Sequence, residues 1–457
     1  MGGSGRSLSD GGAVAEVAWG KRALGSWLVK VLVVGSGGRE HALVWALSRD
    51  SEVEQVVAAP GNPGIEALQP AYDGQTIVCR AVDVSDHDAV VALATELGID
   101  LAVVGPEAPL VAGLADPLRA AGIAVFGPSK DAAEIEGSKA FAKDVMAAAS
   151  VPTGRAYVCT TPEQAAEAID AFGPPYVVKD DALAAGKGVV VTSDRAEALE
   201  HAAGCDQVLI EEFLDGPEVS LFAITDGVTV LPMQPAQDFK RLADNDEGPN
   251  TGGMGAYTPL PWAPENLVEE ITEKVLQPTI DELRRRGTPF SGLLYAGLAL
   301  TSRGTRVIEF NCRFGDPETQ ALLPLLKTPL GGLLYAAATG KLADVQPLSW
   351  KSGASVAVVV AAKKYPAKPR SGDVISGIEQ AEAGGVHVFH AGTTVEDNEV
   401  VTAGGRVLAV SATGKDLDEA RQRAYSGVGQ IRIKGSQHRT DIALKAARGE
   451  IELLPIS

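Results

Sequence analysis

A carboxylate and a carboxamide two residues apart, Glu309 and Asn311, are the side chains in this sequence best suited to bind a metal ion. The apolar residues around them are typical of a β-strand, across which side chains alternate. We therefore expect Val307, Glu309 and Asn311 to share one face. Ile308 and Phe310 then share the opposite, apolar face. Two oxygen ligands predict a site for Mg²⁺ or Mn²⁺, completed by water and nucleotide phosphate. Taken alone, the pair also fits a surface Glu beside a turn Asn.

A loop of small residues indicates how that nucleotide is held. Gly186, Lys187 and Gly188 lie between two apolar, β-branched stretches. Glycines let backbone N–H groups approach phosphate oxygens, and the lysine supplies the opposite charge. The pattern is not a Walker loop, because no Ser or Thr and no helix follows it. Lys179 ends the first stretch, where an unpaired charge would be costly and a bound phosphate would explain it. The segment predicts a hairpin that closes over a nucleotide.

A short linker further along suits the base end of a nucleotide. It follows an apolar strand that begins at Val208, and we expect its backbone groups to meet an adenine edge. Glu218, a few residues later, is placed to reach a ribose. The linker residues are Glu211, Glu212, Phe213 and Leu214.

From Lys30 the sequence alternates apolar strands with helices, which predicts βαβ units and a parallel sheet. Ser85, with Asp88 three residues later, predicts the capped start of a helix that ends near Leu97. The last hundred residues change to β-rich segments followed by a helix that begins near Asp416.

The glycine-rich turn after the first strand does not match a dinucleotide site. The Rossmann fingerprint needs a glycine where Glu40 stands, and it needs an acidic residue after the second strand, where none stands. A helix N-terminus beside Gly37, Gly38 and Arg39 still suits a monophosphate. A tight strand-to-helix turn without a ligand is the alternative.

Composition and charge restrict the function further. The 457 residues are 45% hydrophobic, which suits about two to four packed domains. A net charge of -19 argues against a nucleic-acid or anionic-membrane partner. No apolar run approaches the roughly 18 residues of a membrane helix. The cysteines are scattered, which indicates neither a zinc site nor a disulfide framework and favours the reducing cytoplasm.

Several long motifs occur in an order that resembles one enzyme family. They are VVGSGGREHA (33–42), GNPG (61–64), GPEAPL (105–110), NTGGMGAY (250–257) and FNCRFGDPE (310–318). With the hairpin, the linker and the Glu-x-Asn strand, they resemble the phosphoribosylamine–glycine ligases, or glycinamide ribonucleotide synthetases, of the ATP-grasp superfamily. The resemblance runs from about Val29 to near the C-terminus.

This resemblance implies a multidomain fold of the α/β and α+β classes. An N-terminal parallel βαβ substrate domain is expected at residues 29–128, after a disordered extension at 1–28. A central ATP-grasp domain is expected at 129–349, in which residues 151–218 form a mobile subdomain that closes over the nucleotide. A β-rich C-terminal domain is expected at 350–457.

The resemblance also assigns site residues. Lys139 is expected to reach ATP, whereas Lys143, four residues later on the same helix face, is expected to be an ordinary solvated lysine. The predicted ATP contacts are Lys139, Lys179, Gly186, Lys187, Gly188, Glu211, Glu212, Phe213, Leu214 and Glu218. The predicted substrate contacts are Gly37, Gly38, Arg39, Asn62, Gly64, Asp238, Lys240, Asn250, Gly252, Gly253, Met254 and Arg313. Residues 250–255 are expected to offer a run of backbone N–H groups to a carboxylate or phosphate.

The implied reaction is the ATP-dependent ligation of glycine to 5-phosphoribosylamine in purine biosynthesis, through a glycyl phosphate. Lys187 and Arg313 are the expected catalytic residues, because they would offset charge on the moving phosphoryl group. A monomer or weak homo-oligomer is expected, with a transient contact to the enzyme that supplies phosphoribosylamine. The alternatives are another ATP-grasp ligase, such as a carboxylase that activates bicarbonate, and a catalytically silent nucleotide-binding protein.

Overall fold

The computed structural model describes residues 28–181 and 188–455. Gly186 and Lys187 of the predicted hairpin, and the predicted disordered extension up to residue 27, lie outside the described residues. Among the described residues, no helix has both the length and the apolar character that crossing a membrane requires. All four cysteines fall within the described ranges and are free thiols.

The N-terminal region forms a parallel sheet covered by helices. Its elements are β1 (Val29–Gly35), α1 (Gly38–Leu47), β2 (Val53–Pro60), α2 (Pro63–Ala67), β3 (Thr76–Cys79), α3 (His87–Glu96), β4 (Leu101–Val104), α4 (Glu107–Ala112), α5 (Ala115–Ala120) and β5 (Ala124–Phe126). The strand order is β3-β2-β1-β4-β5, with all neighbours parallel. Leu32 and Val34 of β1 pack in one apolar cluster, and Val31 and Val33 pack in another. Both faces of the sheet are therefore buried, as parallel sheets require.

The predicted cap of α3 is wrong by one residue. Asp86, not Ser85, is the N-cap, and its carboxylate accepts a hydrogen bond from the Ala89 N–H at 3.0 Å. The Ser85 hydroxyl instead donates to Asp83 at 2.7 Å. Asp and Ser are about equally good N-caps, so the residue nearer the helix takes the position.

The central region contains two antiparallel four-stranded sheets. Its elements are α6 (Lys130–Gly137), α7 (Lys139–Ala148), β6 (Ala156–Cys159), α8 (Pro162–Phe172), β7 (Tyr176–Asp180), β8 (Val189–Thr192), α9 (Arg195–Ala203), β9 (Val208–Glu211), β10 (Glu218–Asp226), β11 (Val230–Pro232), β12 (Gln237–Asp238), β13 (Arg241–Ala243), β14 (Glu247–Asn250), β15 (Gly255–Thr258), α10 (Leu267–Ile271), α11 (Gln277–Arg285), β16 (Ser291–Thr301), β17 (Gly304–Asn311), α12 (Glu318–Leu322) and α13 (Leu330–Ala338). The first sheet has the order β6-β9-β7-β8, and the second has the order β11-β10-β16-β17. β7 and β8, which flank the Gly-Lys-Gly segment, pair antiparallel as predicted.

The C-terminal region is built on a sheet that it shares with the central region. Its elements are β18 (Ala354–Ala361), α14 (Ile378–Ala383), β19 (His387–His390), β20 (Thr393–Glu396), β21 (Glu399–Thr402), β22 (Arg406–Gly414), α15 (Leu417–Val428) and α16 (Leu444–Ala447). The shared sheet has the order β12-β15-β18-β22-β19. β12 and β15 precede residue 350, so this sheet crosses the predicted boundary between the central and C-terminal domains. The boundary itself stays a prediction.

Histidines join the N-terminal region to β19. The His390 N–H donates to Nδ1 of His41 at 2.8 Å, and the ring of His387 lies 4.6 Å from that of Trp45. Burial lowers the pKa of His387 and of His390 to about 4, so both rings are neutral in the fold near neutral pH. Because a charged ring would be poorly solvated here, this junction depends on deprotonated histidine.

We predict that His387→Gln weakens the pH dependence of stability in mild acid. An unfolded histidine has a pKa of about 6.5, so between about pH 4 and 6.5 the unfolded chain binds more protons than the folded chain. The contribution of His387 to the free energy of unfolding is therefore present above this pH window and is lost as the pH falls through it. The variant should reduce the slope of the unfolding free energy against pH by up to about 1.4 kcal/mol per pH unit. Denaturant unfolding at several pH values across the window measures this slope. His87→Gln, on the half-exposed start of α3, is the control. An unchanged slope in His387→Gln would contradict the prediction.

Candidate active site

A cavity of about 1000 Å³ lies where the three regions meet. Both central sheets contribute to its wall, and so do Arg39 and Glu107 from the N-terminal region and Arg406 from the C-terminal region. The predicted site residues on this wall are Arg39, Lys139, Lys179, Gly188, Glu211, Glu212, Phe213, Leu214, Glu218, Asp238, Lys240, Asn250, Gly252, Glu309, Asn311 and Arg313. The structure thus brings together most of the predicted residues that it describes.

A β-bulge in β17 changes the expected alternation around the predicted metal ligands. Gly297 of β16 pairs with Glu309, but the next residue, Leu298, pairs with Val307. Ile308 is therefore an extra residue in the ladder, and two successive side chains turn to the same side. The prediction that Val307 shares a face with Glu309 is wrong for this reason.

The bulge changes which residues of β17 reach the cavity, and Phe310 both packs in the core and borders the cavity. Val307 and Phe310 both pack in the same apolar cluster. Ile308, Glu309 and Asn311 line the cavity. The carboxylate and the carboxamide reach the same space as predicted, because the alternation is regular from Glu309 to Asn311 and fails only at Ile308.

The electrostatics around Glu309 suit a cation ligand. Burial acts to raise its pKa, but the nearby cations, of which Lys240 and Lys179 have the largest effects, together outweigh burial, and the pKa lies below its usual value. Asn311 is nearly buried, and its Oδ1 accepts a hydrogen bond from Arg313 at 3.3 Å. Within residues 28–181 and 188–455, no cluster of three or more His, Cys, Asp or Glu side chains could hold a metal by itself. An ionised carboxylate plus a carboxamide fits a hard divalent ion that takes its other ligands from phosphate and water.

Lys179 is paired with a protein carboxylate, so its burial does not require the bound phosphate that was expected to explain it. Its Nζ lies 2.8 Å from Oε2 of Glu211, and both side chains are about 95% buried. Lys143 lies 3.4 Å from Oε1 of the same carboxylate and donates to Thr153 Oγ1 at 2.8 Å. Lys143 is 12% exposed, so the expectation of a solvated lysine is also wrong. A phosphate entering here would meet two lysines that share one glutamate.

In the linker after β9, the two glutamates are paired with protein cations, whereas Phe213 is open to a ligand. Glu211 is the last residue of the strand, and its side chain points to the lysines. The Glu212 carboxylate accepts from the Arg155 N–H at 2.9 Å and pairs with Arg303. Phe213 is half exposed at the cavity edge, where a base could stack on it. Lys139, at the start of α7, donates from Nζ to the Asp180 carbonyl at 2.6 Å.

Glu218 forms an ion pair with Lys240, in which Lys240 Nζ lies 2.6 Å from Glu218 Oε2. Next to this pair, burial raises the pKa of Asp238 to about 7, with Lys240 opposing the rise and Glu318 adding to it. Asp238 therefore changes its protonation state near neutral pH. This part of the wall presents a cation beside a carboxyl group that can accept or donate a hydrogen bond.

Arg313 is held by acidic residues from other elements. Its Nη2 lies 3.1 Å from Glu136, and its Nε lies 3.4 Å from Glu107. The guanidinium therefore faces the cavity in a fixed position next to Asn311.

The predicted phosphate cradle at the start of α1 is already filled. The Gly37 N–H donates to Glu40 at 2.6 Å, and the Arg39 N–H donates to Asp316 at 3.0 Å. Glu40 is 1% exposed and ionically paired with Arg39, so two carboxylates already accept these N–H groups, and a phosphate contact here stays a prediction. Gly37 and Gly38 do not line the cavity, whereas the side chain of Arg39 does.

Asn62 and Gly64 also lie away from the cavity wall. The Asn62 side chain caps α2 through the Ile65 N–H and donates to the carbonyls of Ser36 and His390. A Cβ on Gly64 would lie 2.4 Å from the His390 ring. Both residues therefore serve the junction between the N-terminal region and β19, and their predicted contact with substrate is not supported by their position.

The predicted run of free N–H groups in residues 250–255 is wrong for its central members. The N–H groups of Thr251 and Met254 donate to the backbone carbonyls of Lys240 and Phe239. The Gly252 N–H donates to the Tyr365 hydroxyl, and the Gly253 N–H donates to Thr251 Oγ1. Asn250 and Gly252 still line the cavity, whereas Gly253 and Met254 do not.

Sequence reasoning missed several charged residues on the wall. Glu107 lies inside the quoted GPEAPL motif directly after a strand, and this position could have marked it. Arg406, which donates to the Gly252 carbonyl at 2.5 Å, comes from a distant strand and carries no local signal. The other charged wall residues that were not predicted are Glu136, Lys143, Arg241, Asp246, Asp316, Glu318, Arg439, Asp441, Lys445, Glu450 and Glu452.

Two antiparallel sheets around a cavity with clustered lysines and a Glu-x-Asn strand end define an ATP-grasp enzyme. Family models agree along the chain. They match the phosphoribosylglycinamide synthetase N domain at residues 29–136, its ATP-grasp (A) domain at 137–319 and its C domain at 355–445. The chain belongs to the phosphoribosylglycinamide synthetase family.

Individual relatives cover almost the whole chain. A phosphoribosylamine–glycine ligase of Streptomyces coelicolor is 64% identical over 92% of this chain and 100% of its own length. One from Mycobacterium leprae is 57% identical over 93% of this chain and 100% of its own length. The crystal structure of the Thermotoga maritima phosphoribosylamine–glycine ligase matches with 33% identity and a TM-score of 0.77, covering 91% of this chain and 100% of that one. A biotin carboxylase domain from Hydrogenobacter thermophilus shares the fold, with 18% identity, a TM-score of 0.67, and coverage of 90% and 91%.

We predict that Glu211→Gln destabilises the protein strongly. The change leaves Lys179 and Lys143 as buried cations without their shared carboxylate, which typically costs about 3–5 kcal/mol. Urea unfolding of wild type and variant measures the difference. Asp170→Asn, which removes an exposed partner of Arg195, is the matched control and should leave the unfolding midpoint unchanged. If the two substitutions changed the free energy of unfolding equally, the buried ion pairs of Glu211 would not stabilise the fold as described.

Proposed function

We propose that this chain ligates glycine to 5-phosphoribosylamine at the expense of ATP, giving glycinamide ribonucleotide, ADP and phosphate. The observation that carries the proposal is the shared cavity, in which Glu309 and Asn311 lie among cations supplied by three regions of the chain. Family membership along the whole chain supports the same reaction. Such a reaction belongs to the de novo synthesis of purines.

The reaction has two chemical steps. A carboxylate oxygen of glycine attacks the γ-phosphorus of ATP, and ADP leaves, so that glycyl phosphate forms. The amine of phosphoribosylamine then attacks the glycyl carbonyl carbon, and phosphate leaves with the bonding electron pair as the amine loses a proton. No protein nucleophile is needed, so positioning and charge neutralisation provide the catalysis.

The cations on the wall supply that neutralisation. We assign Lys179 and Arg313 to the transferring phosphoryl group, because both face the cavity in fixed, ion-paired positions. Lys187 lies outside the described residues, and its role in closing the hairpin stays a prediction. Lys139, Gly188 and the linker after β9 are assigned to ATP.

Glu309 and Asn311 would hold the divalent ion. When bound, Mg²⁺ or Mn²⁺ neutralises phosphate charge and orients the phosphoryl oxygens. Asp238 and Lys240 are assigned to substrate, because they present a carboxyl group and an ammonium group side by side at the wall.

The remaining assignments rest on the family resemblance. We propose that the first central sheet, with β7 and β8, moves as the subdomain that closes over ATP. We also propose a cytoplasmic monomer or weak homo-oligomer, which receives unstable phosphoribosylamine from the enzyme that makes it.

The test of the function is ADP production with each substrate omitted in turn. We expect ADP release with ATP, a divalent ion, glycine and freshly generated phosphoribosylamine, and a large loss when glycine is left out. Bicarbonate in place of glycine tests a carboxylase-type activity. Glycine-independent ADP release, or none under any condition, would overturn the proposal.

We predict that Glu309→Gln lowers kcat by ~100-fold, equivalent to roughly 3 kcal/mol of lost transition-state stabilisation. The amide keeps the shape of the side chain but removes the charge that would face the metal ion. Steady-state kinetics over a series of Mg²⁺ concentrations measure the effect, and circular dichroism checks the fold. Glu270→Gln, on the exposed side of α10 beside Lys274, is the matched control. Near-normal turnover of Glu309→Gln would remove its role as a metal ligand.

A further inference from the structure

Arg439 is a charged side chain that is enclosed in protein at the edge of the cavity. Its side chain has no exposed surface, and it lies in the segment between α15 and α16. Nε and Nη2 donate to the two carboxylate oxygens of Asp441 at 2.8 and 2.7 Å. Nη1 donates to Asp246 at 2.8 Å and to the Arg241 carbonyl at 3.2 Å. The guanidinium thus joins the C-terminal region to the hairpin of β13 and β14.

The same guanidinium stacks on an aromatic ring that is part of the cavity wall. Its central carbon lies 4.8 Å from the ring centroid of Phe239. Phe239 stands between Asp238 and Lys240 in the sequence, and both of these neighbours line the cavity. A shift of the ring would therefore move the two residues that we assign to substrate.

Further bonds hold the same hairpin at its tip and at its base. The Thr440 N–H donates to Asp244 at 2.7 Å, and the Asn245 N–H donates to Asp441 at 2.9 Å. At the base of the hairpin, Asn250 Nδ2 donates to the Val189 carbonyl of β8 at 3.4 Å. The hairpin therefore extends from the Arg439 segment to the strand that borders the nucleotide hairpin.

Burying this charge is expensive, and stability alone explains it poorly. Buried ion pairs often contribute less than apolar side chains of similar volume would. A planar guanidinium can bind a carboxylate with two parallel hydrogen bonds while it stacks on a ring, which an ammonium group cannot do. The geometry around Arg439 uses both of these properties at once.

We propose that Arg439 is a positioning residue for the ligation reaction, because it clamps residues 241–250 and fixes Asp238 and Lys240 at the cavity wall through Phe239. The inference rests on the proposed function. It predicts a loss in the use of glycine or phosphoribosylamine that exceeds any loss in nucleotide binding.

The experiment compares Arg439→Lys and Phe239→Leu with wild type in the ligation assay. Each removes one side of the stacked contact, and we expect kcat/KM for glycine or for phosphoribosylamine to fall by ~10- to 100-fold, as misplaced reacting groups typically cause. Binding of ADP, followed by calorimetry, should change far less. Phe239→Tyr keeps the ring and should retain activity close to wild type.

Arg49→Lys is the matched control, since Arg49 stacks on Trp45 at 4.3 Å and does not line the cavity. Unchanged kcat/KM in both Arg439→Lys and Phe239→Leu would overturn the positioning role. Equal losses in kcat/KM and in ADP binding would also overturn it, because they indicate general unfolding. If Arg439→Lys does not fold, Phe239→Leu tests the same contact from the other side. An active wild type with unaffected variants refutes this inference alone, whereas an inactive wild type removes the proposed function and the inference with it.

Discussion

Buried positive charge needs nearby negative charge, and this requirement organises the centre of the molecule. In a chain with a net charge of -19, cations that face the cavity are held by carboxylates of the protein. Lys179 is held by Glu211, and Arg313 is held by Glu136. Such pairing fixes each cation before any ligand arrives, so little reorganisation remains when a phosphate binds. An acidic protein can in this way bind a polyanion through a small local site.

Asp316 shows how the same principle joins the regions of the chain. Its carboxylate accepts from the Arg39 N–H of α1 and from Gln320 of α12, and it lies 3.4 Å from Arg406 of β22. Cations in its surroundings keep the pKa of Asp316 below its usual value in spite of burial. One ionised group therefore connects the N-terminal helix, the end of β17 and the C-terminal sheet. The shape of the cavity depends on such polar contacts between regions as well as on the sheets.

Local patterns in the sequence predicted the elements well and the contacts between distant elements poorly. The parallel N-terminal sheet, the β7–β8 pairing and the wall position of Asn311 follow from motifs and periodicity that lie within short segments. The bulge at Ile308 depends on the register with β16, and the burial of Lys143 depends on Glu211 in another strand. Neither dependence leaves a trace in the neighbouring residues. For the same reason, the sequence does not show that the N–H groups of the glycine-rich loop are paired.

The five-stranded sheet that joins β12 and β15 to β18, β22 and β19 limits how this architecture can change. β12 carries Asp238 at the cavity and is hydrogen-bonded to β15, which pairs in turn with β18. Excising or exchanging the C-terminal part as a module would expose an open sheet edge beside the site. Recombination between related genes, or the engineering of chimaeras, should therefore succeed only when the crossover keeps β15 and β18 from the same parent or from parents with matching side chains.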